Sequence, residues 1–554
     1  MLGLLALVCC CCLSFAQSVN VSQSSTYHNS FHNILHSITP MQAFMPPKAD
    51  KGARVAIIGG GLAGLGAADR LINAHGFTNV TLYEALDRLG GRLHPVPFED
   101  GYLQLGAEYV HGRDNPIYRL ASDLGAFPPK VARRNLKNLL ELYFAPGGCP
   151  VPEADVEQMW EFYDSTDEAL MRLGKEVKTV RYPVGQLFQY VFQEWLHQNG
   201  PWNGNLEPLL QHLKRYIETE HACPDWNELS FRAWSNWIEL PVEEELTLDK
   251  QGYKKILQHL EYLVPKESIQ LNAKVTNINF TSQPVLITIG GEETIEADHV
   301  IVTVPLGHLK KNHRQLFTPA LPVQKARAID TMGYGTVEKV FLIYDEPFWD
   351  SRASEINLID VPNACNGDNP YRTGSLETVF ASLSVDPWFR GVLCAWISGK
   401  ENVSAVAAAE DYELADAVTR TLRVYLNRTD IPEPRRILRS AWASQEEFLG
   451  SYSWYSVAAD KAGANYEHIA QPIFTQQGVP VVQFAGEATS GSSFQTTHGA
   501  LTSGWREARR LSDPQFYNPL REPEAAAASS AGRPSEPLRL LWDFFQQTIA
   551  SKSP

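Results

Sequence analysis

The sequence lacks long apolar runs, an excess of positive charge and any internal repeat. After the first residues, no stretch of the 554-residue chain approaches the roughly 18 consecutive apolar residues that a membrane-spanning helix needs. The 63 acidic and 48 basic side chains give a formal net charge of −15, which disfavours nucleic acid as a partner and can attract cations. No spacing typical of a metal site or a nucleophilic triad stands out, so no metal is predicted.

Cysteine is scarce outside the first residues. Four of the eight cysteines lie at 9–12, and the others are Cys149, Cys223, Cys365 and Cys394. These four could form two disulfides or remain buried thiols, and the sequence leaves both alternatives open. The hydrophobic content of 44% and the charged content of 20% are typical of a globular protein, and the length favours two domains.

Residues 1–17 are typical of a secretory signal peptide. The apolar run from Leu2 to Phe15 is too short to span a bilayer, and small residues near Ala16 offer a cleavage site. The run carries no Lys or Arg, so an uncleaved anchor is the alternative. We expect a secreted or endomembrane-lumen protein, because the chain does not end in the S-K-L peroxisomal signal. Glycosylation sequons are also present, at Asn20, Asn79, Asn279, Asn402 and Asn427.

Predicted helices and strands occupy the chain between two segments of biased composition. Residues 18–50 are rich in Ser, Asn and His and are predicted to be a flexible arm, and residues 515–554 form a tail rich in Pro, Ala and Ser. Apolar periodicity predicts helices at 156–173, 204–218 and 411–425. The same criterion predicts strands at 269–271, 275–280, 285–289, 300–304 and 337–344.

A glycine-rich turn lies between a predicted strand and a predicted helix. The apolar run 53–58 is followed by Gly59, Gly61 and Gly64 in the pattern G-x-G-x-x-G, and a second predicted strand ends at Glu84, 20 residues after Gly64. This is the arrangement of a Rossmann-type dinucleotide site.

Each residue of this motif has an expected role. Gly59 permits the tight turn, Gly61 lets the backbone approach a pyrophosphate, and Gly64 allows the helix to pack closely on the strand. N–H groups at the start of the helix would bind the phosphates, and Glu84 would accept hydrogen bonds from ribose hydroxyls. The motif alone does not distinguish FAD from NAD.

Five blocks of sequence, in order, resemble the flavin-containing amine oxidase superfamily, and the first of them favours FAD. The resemblance covers residues 53–512, and the blocks around His111 and Thr496 are most similar to the animal polyamine oxidases, which act on spermine or N1-acetylpolyamines. The blocks are Glu84 to Arg92, Leu105 to Gly112, Val300 to Gly307, Met332 to Val340, and a last block from Phe484 to Gly504.

The resemblance implies an α/β fold with two domains. A Rossmann-type FAD-binding domain would be built from the discontinuous segments 51–126, 241–320 and 446–514. An α+β substrate domain with a mixed sheet would contain 127–240 and 321–445. The leader, the arm and the tail lie outside the resemblance.

The resemblance also implies the residues that bind the cofactor. Serine at position 451 stands where the monoamine oxidases have the cysteine that bonds to the flavin, so non-covalent FAD is predicted. The implied FAD-binding residues are Gly59, Gly61, Leu62, Ala63, Gly64, Glu84, Arg88, Gly91, Arg92, Val275, Gly486, Glu487 and Thr497.

Two residues are implied to be catalytic. Lys339 would hold a water against flavin N5 and promote reoxidation by oxygen, and His111 would position the amine or a water. The alternatives are a lysine on an exposed strand face and a packed core histidine. Four residues are implied to contact the substrate: Glu108, Tyr452, Phe494 and Thr496. Helix Thr497 onward would face the flavin pyrimidine, and Asn236 stands where the polyamine enzymes usually have an acidic residue.

The implied reaction is the oxidation of a polyamine. Hydride transfer to flavin N5 gives an imine, water hydrolyses it to an aldehyde and a shorter amine, and O2 reoxidises the flavin with release of H2O2. Alternatives are a secreted L-amino-acid oxidase, a chromatin lysine demethylase, which the leader and the absence of a long helical insertion disfavour, and a non-catalytic flavin-bound protein. The sequence does not predict the oligomeric state.

Overall fold

A six-stranded sheet, the central sheet, brings together strands from three separated parts of the sequence. The computed structural model describes residues 48–129, 139–176, 182–199, 206–236, 245–361, 370, 375–476, 478–513 and 541. The strand order is Ile473–Phe474, Pro480–Phe484, His299–Val302, Val55–Ile58, Val80–Tyr83 and Ile269–Gln270. All neighbouring pairs are parallel except the first.

The central sheet is buried on both faces. Val55 and Ile57 pack into one apolar cluster with helix Leu62–Asp69, and Ala56 and Ile58 pack into another. Continuous apolar strands of this kind are typical of parallel sheets covered by helices on both sides. The predicted strand at 53–58 and the predicted helix after it are therefore confirmed, with the helix continuing as a π-helical turn at Arg70–Ala74.

A seven-stranded sheet, the mixed sheet, forms the second layer system. Its order is Arg436–Arg439, Glu338–Ile343, Val392–Ile397, Ser382–Val385, Ala353–Leu358, Leu140–Ala145 and Cys149–Pro150. Strand Leu140–Ala145 runs parallel to Ala353–Leu358, and the other pairs are antiparallel. A four-stranded sheet has the order Glu293–Ala297, Val285–Ile289, Val275–Asn279 and Phe317–Thr318. The remaining pairs are Pro95–Phe98 with Gly101–Gln104, Tyr109–His111 with Glu245–Thr247, and Gly333–Gly335 with Tyr452–Trp454.

Helices cover these sheets and line the space between them. Apolar periodicity predicted three of the longer ones, which the structure confirms as Glu153–Glu176, Leu206–Glu220 and Asp411–Leu426. The other α-helices are Pro116–Asp123, Val184–Asn199, Arg232–Asn236, Lys254–Leu263, Leu306–Leu316, Val323–Thr331, Lys400–Ala408, Val457–Ala462, Tyr466–Ala470 and Thr497–Ser512. Short 3-10 turns occur at Lys266–Ser268, Leu376–Val379 and Glu487–Thr489.

The predicted fold class is confirmed: a Rossmann-type α/β unit from discontinuous segments stands beside an α+β unit with a mixed sheet. The domain boundaries at 51–126, 127–240, 241–320, 321–445 and 446–514 stay a prediction. The predicted signal peptide, most of the arm and the tail lie outside the described residues, except that Leu541 is fully buried. Within the described ranges, no helix combines the length and apolarity that crossing a membrane requires.

The described cysteines form neither two disulfides nor a set of free thiols alone. Cys149 is disulfide-bonded. Cys223 and Cys394 are buried free thiols.

Candidate active site

A cavity of about 1130 Å³ extends from the glycine-rich turn to the mixed sheet. The wall formed by the central sheet and helix Thr497–Ser512 is called the cradle side below. The wall formed by the mixed sheet, helices Glu153–Glu176 and Leu206–Glu220, Glu108 and strand Glu245–Thr247 is called the acidic side. The cavity therefore lies between the two sheet systems.

The glycine-rich turn on the cradle side has the geometry of a phosphate cradle. Gly59 has φ +111°, and a Cβ on Gly64 would lie 1.9 Å from the Gly59 carbonyl oxygen. Gly61, Leu62 and Ala63 line the cavity, and no side chain caps the helix that begins at Leu62. A Cβ on Gly61 would meet no atom within 4 Å. The backbone therefore leaves space and N–H groups for a pyrophosphate, so these residues fit the dinucleotide.

Glu84 is held at the predicted place by the same turn. Its carboxylate accepts hydrogen bonds from the N–H groups of Gly60 at 2.6 Å and Leu86 at 2.9 Å. Burial raises its pKa. The side chain lines the cavity, where a carboxylate can accept from ribose hydroxyls.

Arg88 is not a wall residue, in contrast to the prediction. Its guanidinium donates to the carbonyls of Leu89, Gly91 and Leu93 at 3.0–3.3 Å. These hydrogen bonds stabilise the turn that carries Gly91 and Arg92, and thereby the cradle side. A sequence match cannot tell whether Arg88 lines the cavity or supports the turn, because both places lie next to the cofactor-binding segment.

Arg92 and Glu487 join the first and last sequence blocks. Arg92 donates to Glu487 at 3.0 Å and to the Ser451 carbonyl at 2.6 Å. The other carboxylate oxygen of Glu487 accepts from Ser453 at 2.6 Å and from the Gln495 N–H at 3.0 Å. Both residues of the ion pair line the cavity. Two further predicted cofactor residues, Val275 and Gly486, line it as well.

Thr497 and Ser451 complete the cradle side. The Thr497 hydroxyl lies 2.9 Å from the Tyr253 hydroxyl, which donates to the Tyr109 carbonyl at 2.8 Å. The Ser451 hydroxyl accepts from the Val337 N–H and donates to its carbonyl, both at 2.9 Å. Serine offers no thiol for a covalent flavin bond, so the prediction of non-covalent binding stands.

Lys339 lies in the cavity wall rather than on an exposed strand face. Its side chain is 3% exposed, and its ammonium donates to a Glu108 carboxylate oxygen at 2.7 Å and to the Gln104 carbonyl at 3.0 Å. The ammonium also lies 3.9 Å from the ring centroid of Trp396. The strand pairing places Lys339 directly opposite Trp396. The predicted catalytic lysine and the predicted substrate residue Glu108 therefore form one ion pair.

His111 also lines the cavity, on strand Tyr109–His111. Its Nδ1 lies 3.7 Å from a Glu245 carboxylate oxygen, and the two residues are paired across their strands. Side-chain exposure of 42% excludes the packed core alternative. His498 is buried, and burial lowers its pKa to about 4, so it is neutral at pH 7, consistent with a structural role.

The predicted substrate residues Tyr452, Phe494 and Thr496 all line the cavity, and the last two also serve packing and capping. The Tyr452 hydroxyl donates to the Thr219 carbonyl at 2.7 Å. The Phe494 ring has no exposed surface and stacks on Tyr466 at 5.0 Å. Thr496 caps helix Thr497–Ser512: its hydroxyl accepts from the Gly499 N–H at 2.9 Å and donates to the Ser493 carbonyl. Because Phe494 and Thr496 also line the cavity, their predicted substrate contacts stay a prediction beside these packing and capping roles.

Sequence reasoning missed most of the acidic side. Asn236 does not supply the expected charge. Other acids do supply it. The carboxylates in the wall of this side are Glu108, Glu141, Asp164, Asp167, Glu220, Glu245 and Glu355.

The electrostatic effect of these acids is visible on neighbouring tyrosines. Glu220, followed by burial, raises the pKa of Tyr216 well above its usual value. Glu108 is the largest cause of the raised pKa of Tyr109. Burial, with Glu220 next, raises the pKa of Tyr452. The acidic side therefore has a negative potential that favours cations.

A helical spacing carried the missing signal. Trp160, Tyr163, Asp164 and Asp167 are spaced at i, i+3, i+4 and i+7 and share one helix face, and all four line the cavity. His212, Tyr216 and Glu220, at i, i+4 and i+8, form a similar cavity-lining face on helix Leu206–Glu220. A stripe that mixes aromatic and acidic residues at helical spacing is unlike both an apolar core face and a solvated face. It could have been recognised, but not assigned to a wall without the tertiary structure.

The fold and the site define a class: an α/β oxidoreductase with a dinucleotide cradle opening into a substrate cavity. The chain belongs to the family described as flavin containing amine oxidoreductase, whose model matches residues 62–512. FAD is the cofactor, a small-molecule amine and O2 are the reactants, and the protein is an amine oxidase.

Similar proteins include two mammalian peroxisomal N(1)-acetyl-spermine/spermidine oxidases. The Bos taurus protein is 30% identical over 502 residues, which are 85% of this chain and 97% of the relative. The Homo sapiens protein is 30% identical over 506 residues, with 84% and 96% covered. Among solved structures, wild-type putrescine oxidase bound to putrescine has a TM-score of 0.59 at 20% identity and covers 83% of this chain and 98% of its own. That likeness supports the fold.

Proposed function

We propose that this amine oxidase acts on polyamines, the spermine, N1-acetylspermine and spermidine class. The observation that carries the proposal is the row of seven carboxylates on the acidic side, in the same cavity as the dinucleotide cradle. A linear polycation can meet several of these acids at once, whereas a monoamine would leave most of them unpaired. The relatives named for spermine and spermidine oxidation are consistent with this proposal.

The residues divide the work in this proposal. Carboxylates such as Glu220 and Glu355 bind distant ammonium groups of the chain, and the Tyr452 ring forms part of the wall near the cradle. A bound FAD held by the cradle residues would supply the two-electron oxidation of the carbon–nitrogen bond to an imine, with O2 as the final acceptor and H2O2 as the product. Water then hydrolyses the imine to an aldehyde and a shorter amine. Lys339 and His111 are the groups that can hold a proton or a water close to the reacting atoms.

The acidic side disfavours the L-amino-acid oxidase alternative. A substrate carboxylate would be repelled by acids such as Glu220 and Glu245, and Arg215 is the one arginine among the described residues of this wall. The two described lysines that line the cavity are already paired, Lys339 with Glu108 and Lys274 with Glu446. A carboxylate substrate therefore has little to bind.

The test is an H2O2 assay on purified holoenzyme with spermine, N1-acetylspermine, spermidine, leucine and benzylamine. We expect turnover with at least one of the three polyamines and little with leucine or benzylamine. Turnover of leucine alone would replace the proposal with the amino-acid oxidase. A bound flavin with no turnover of any amine would favour a non-catalytic role.

We also propose that the protein is secreted or enters the endomembrane lumen. The leader at 1–17 and the sequons support this location, and a flavin amine oxidase there would release H2O2 outside the cytosol. Expression of the full chain in animal cells, followed by N-terminal sequencing of protein from the medium, tests it. Protein retained in the cytosol with residues 1–17 intact would contradict it.

A further inference from the structure

The ion pair between Lys339 and Glu108 is built into the cavity wall from two directions. The Lys339 backbone N–H donates to the Ser440 hydroxyl at 2.8 Å, within the mixed sheet. Glu108 precedes Tyr109, whose ring stacks on Trp396 at 6.2 Å. Trp396 in turn lies beneath the lysine ammonium. Trp396 therefore contacts Lys339 directly and the neighbour of Glu108 through its ring, so one aromatic side chain packs against both segments that carry the pair.

The pair also explains how a lysine can stay in a site with 3% exposure. A buried ammonium without a counterion favours its neutral form, because burial penalises charge. Glu108 supplies the opposite charge at 2.7 Å, and the Gln104 carbonyl accepts a second hydrogen bond. An ammonium has three N–H donors, so one remains for a group in the cavity.

The sequence suggested a different role for Glu108, attraction of a polyamine ammonium. In the structure its charge is balanced by Lys339, so it adds less to the potential felt by a substrate than Glu220 or Glu245 does. We propose that Glu108 is a positioning residue for Lys339: it keeps the lysine charged and fixes its ammonium at the cavity wall. The inference rests on the flavin oxidase activity of the proposed function but not on which amine is oxidised.

Other ionisable groups around the pair have to be separated from it. Asp386 follows strand Ser382–Val385, and Cys394 lies on the next strand. Burial and then Glu108 raise the pKa of Asp386 to about 7. Burial raises the pKa of the Cys394 thiol well above its usual value, so this group stays protonated near neutral pH. Tyr109 has a raised pKa, and His111 and Glu355 also line this part of the cavity. Asp386 is thus the group with which a lysine titration could be confused.

The experiment compares Glu108→Gln, Lys339→Met and the double variant as holoenzymes. Flavin is reduced by light without any amine, and its reoxidation by O2 is followed by absorbance from about pH 6 to about pH 9, a range that a lysine deprived of its counterion can enter. We expect a flat profile for the wild type. For Glu108→Gln we expect the rate to fall about tenfold as the pH rises, toward the rate of Lys339→Met. The double variant should be flat and low, and an Asp386→Asn background should leave the profiles unchanged.

Thermal unfolding of the same holoenzymes gives a readout that does not depend on activity. Glu108→Gln should lower Tm by about 5 °C or more, because it leaves a buried cation without a partner. Adding Lys339→Met should recover part of that loss, since it removes the cation. Glu108→Asp, which keeps the charge, should retain a flat reoxidation profile. It also serves as the test variant if Glu108→Gln does not fold.

Two results would overturn the inference. One is a Glu108→Gln enzyme whose reoxidation stays flat with pH while its KM for the amine rises, which would make Glu108 a substrate anchor. The other is Tm losses that add in the double variant, which would mean the residues act independently. Because reoxidation needs no amine, neither result depends on the substrate, and a failure of the polyamine proposal would be seen separately in the H2O2 assay.

Discussion

The cradle side of the cavity is built mainly from backbone groups, whereas the acidic side is built from side chains. The backbone groups are those of a turn with Gly59 at φ +111° and of an uncapped helix start. The side-chain ion pair of Arg92 and Glu487 joins this turn to the last sequence block. The acidic side uses side chains, which reach the cavity from helices and strands far apart in sequence. The difference teaches that cofactor binding depends on local conformation, and substrate binding on tertiary placement of charge.

The largest expected effect comes from replacing one α-hydrogen of Gly64, on the cradle side, by a methyl group. In Gly64→Ala the new Cβ would lie 1.9 Å from the Gly59 carbonyl oxygen, so the helix must move away from the strand. We expect a loss of about 3 kcal/mol in the free energy of unfolding together with loss of FAD. Denaturant unfolding and the flavin absorbance of purified protein measure both effects.

Gly61→Ala is the matched control. Its Cβ would meet no protein atom within 4 Å but would occupy part of the cavity. We expect the fold to keep its stability and FAD to bind more weakly. If both variants purified with full flavin and unchanged stability, backbone approach would not be what makes this side a cradle.

The second prediction breaks the acidic side without touching the cradle. Glu220→Gln removes one wall carboxylate, and we expect KM for spermine to rise roughly fivefold, about 1 kcal/mol, with kcat unchanged. Glu207→Gln lies on the same helix at an exposed position outside the cavity and should leave KM unchanged. The effect should shrink at high salt, because partly exposed charges are screened. A fall in kcat at constant KM would instead place Glu220 in the chemical step.

How much the sequence predicts follows the same division. The structure has Gly59, Gly64 and Glu84 in the predicted turn, because their contacts are set by spacing along one βαβ unit. The capping role of Thr496 was missed, because a residue that both caps a helix and lines a cavity looks the same in a motif as one that only lines the cavity. Trp396 was missed because its contact with Lys339 depends on strand pairing between residues 57 positions apart.

The third prediction concerns Asp386, a carboxyl whose pKa is raised by burial and by Glu108 of the acidic side. The raised pKa of Asp386, about 7 against a usual 3.8, means that the folded state binds its proton more tightly than the unfolded state. The free energy of unfolding should therefore decrease as the pH rises from about 4 to about 7. In Asp386→Asn this decrease is absent, so wild type should lose about 1–2 kcal/mol relative to the variant between about pH 5 and pH 8, allowing for partial exposure.

Urea unfolding of both proteins at the two pH values measures this difference. Asp123→Asn, at an exposed helix end, is the control and should shift both values alike. A difference between wild type and Asp386→Asn that stays constant with pH would show that burial of this carboxyl is relieved in solution.

The smallest expected effect distinguishes the roles of two adjacent residues, Thr496 and Thr497. Thr496 caps helix Thr497–Ser512, whereas the Thr497 hydroxyl contacts Tyr253 at the cradle. Thr496→Ala should cost about 1 kcal/mol of stability through loss of the cap, and Thr496→Ser, which keeps the hydroxyl, should restore it. We expect KM to stay unchanged in both variants, because the Thr496 hydroxyl already donates its proton to the Ser493 carbonyl. A rise in KM for Thr496→Ala at unchanged Tm would instead show that this cavity-lining residue contacts the substrate.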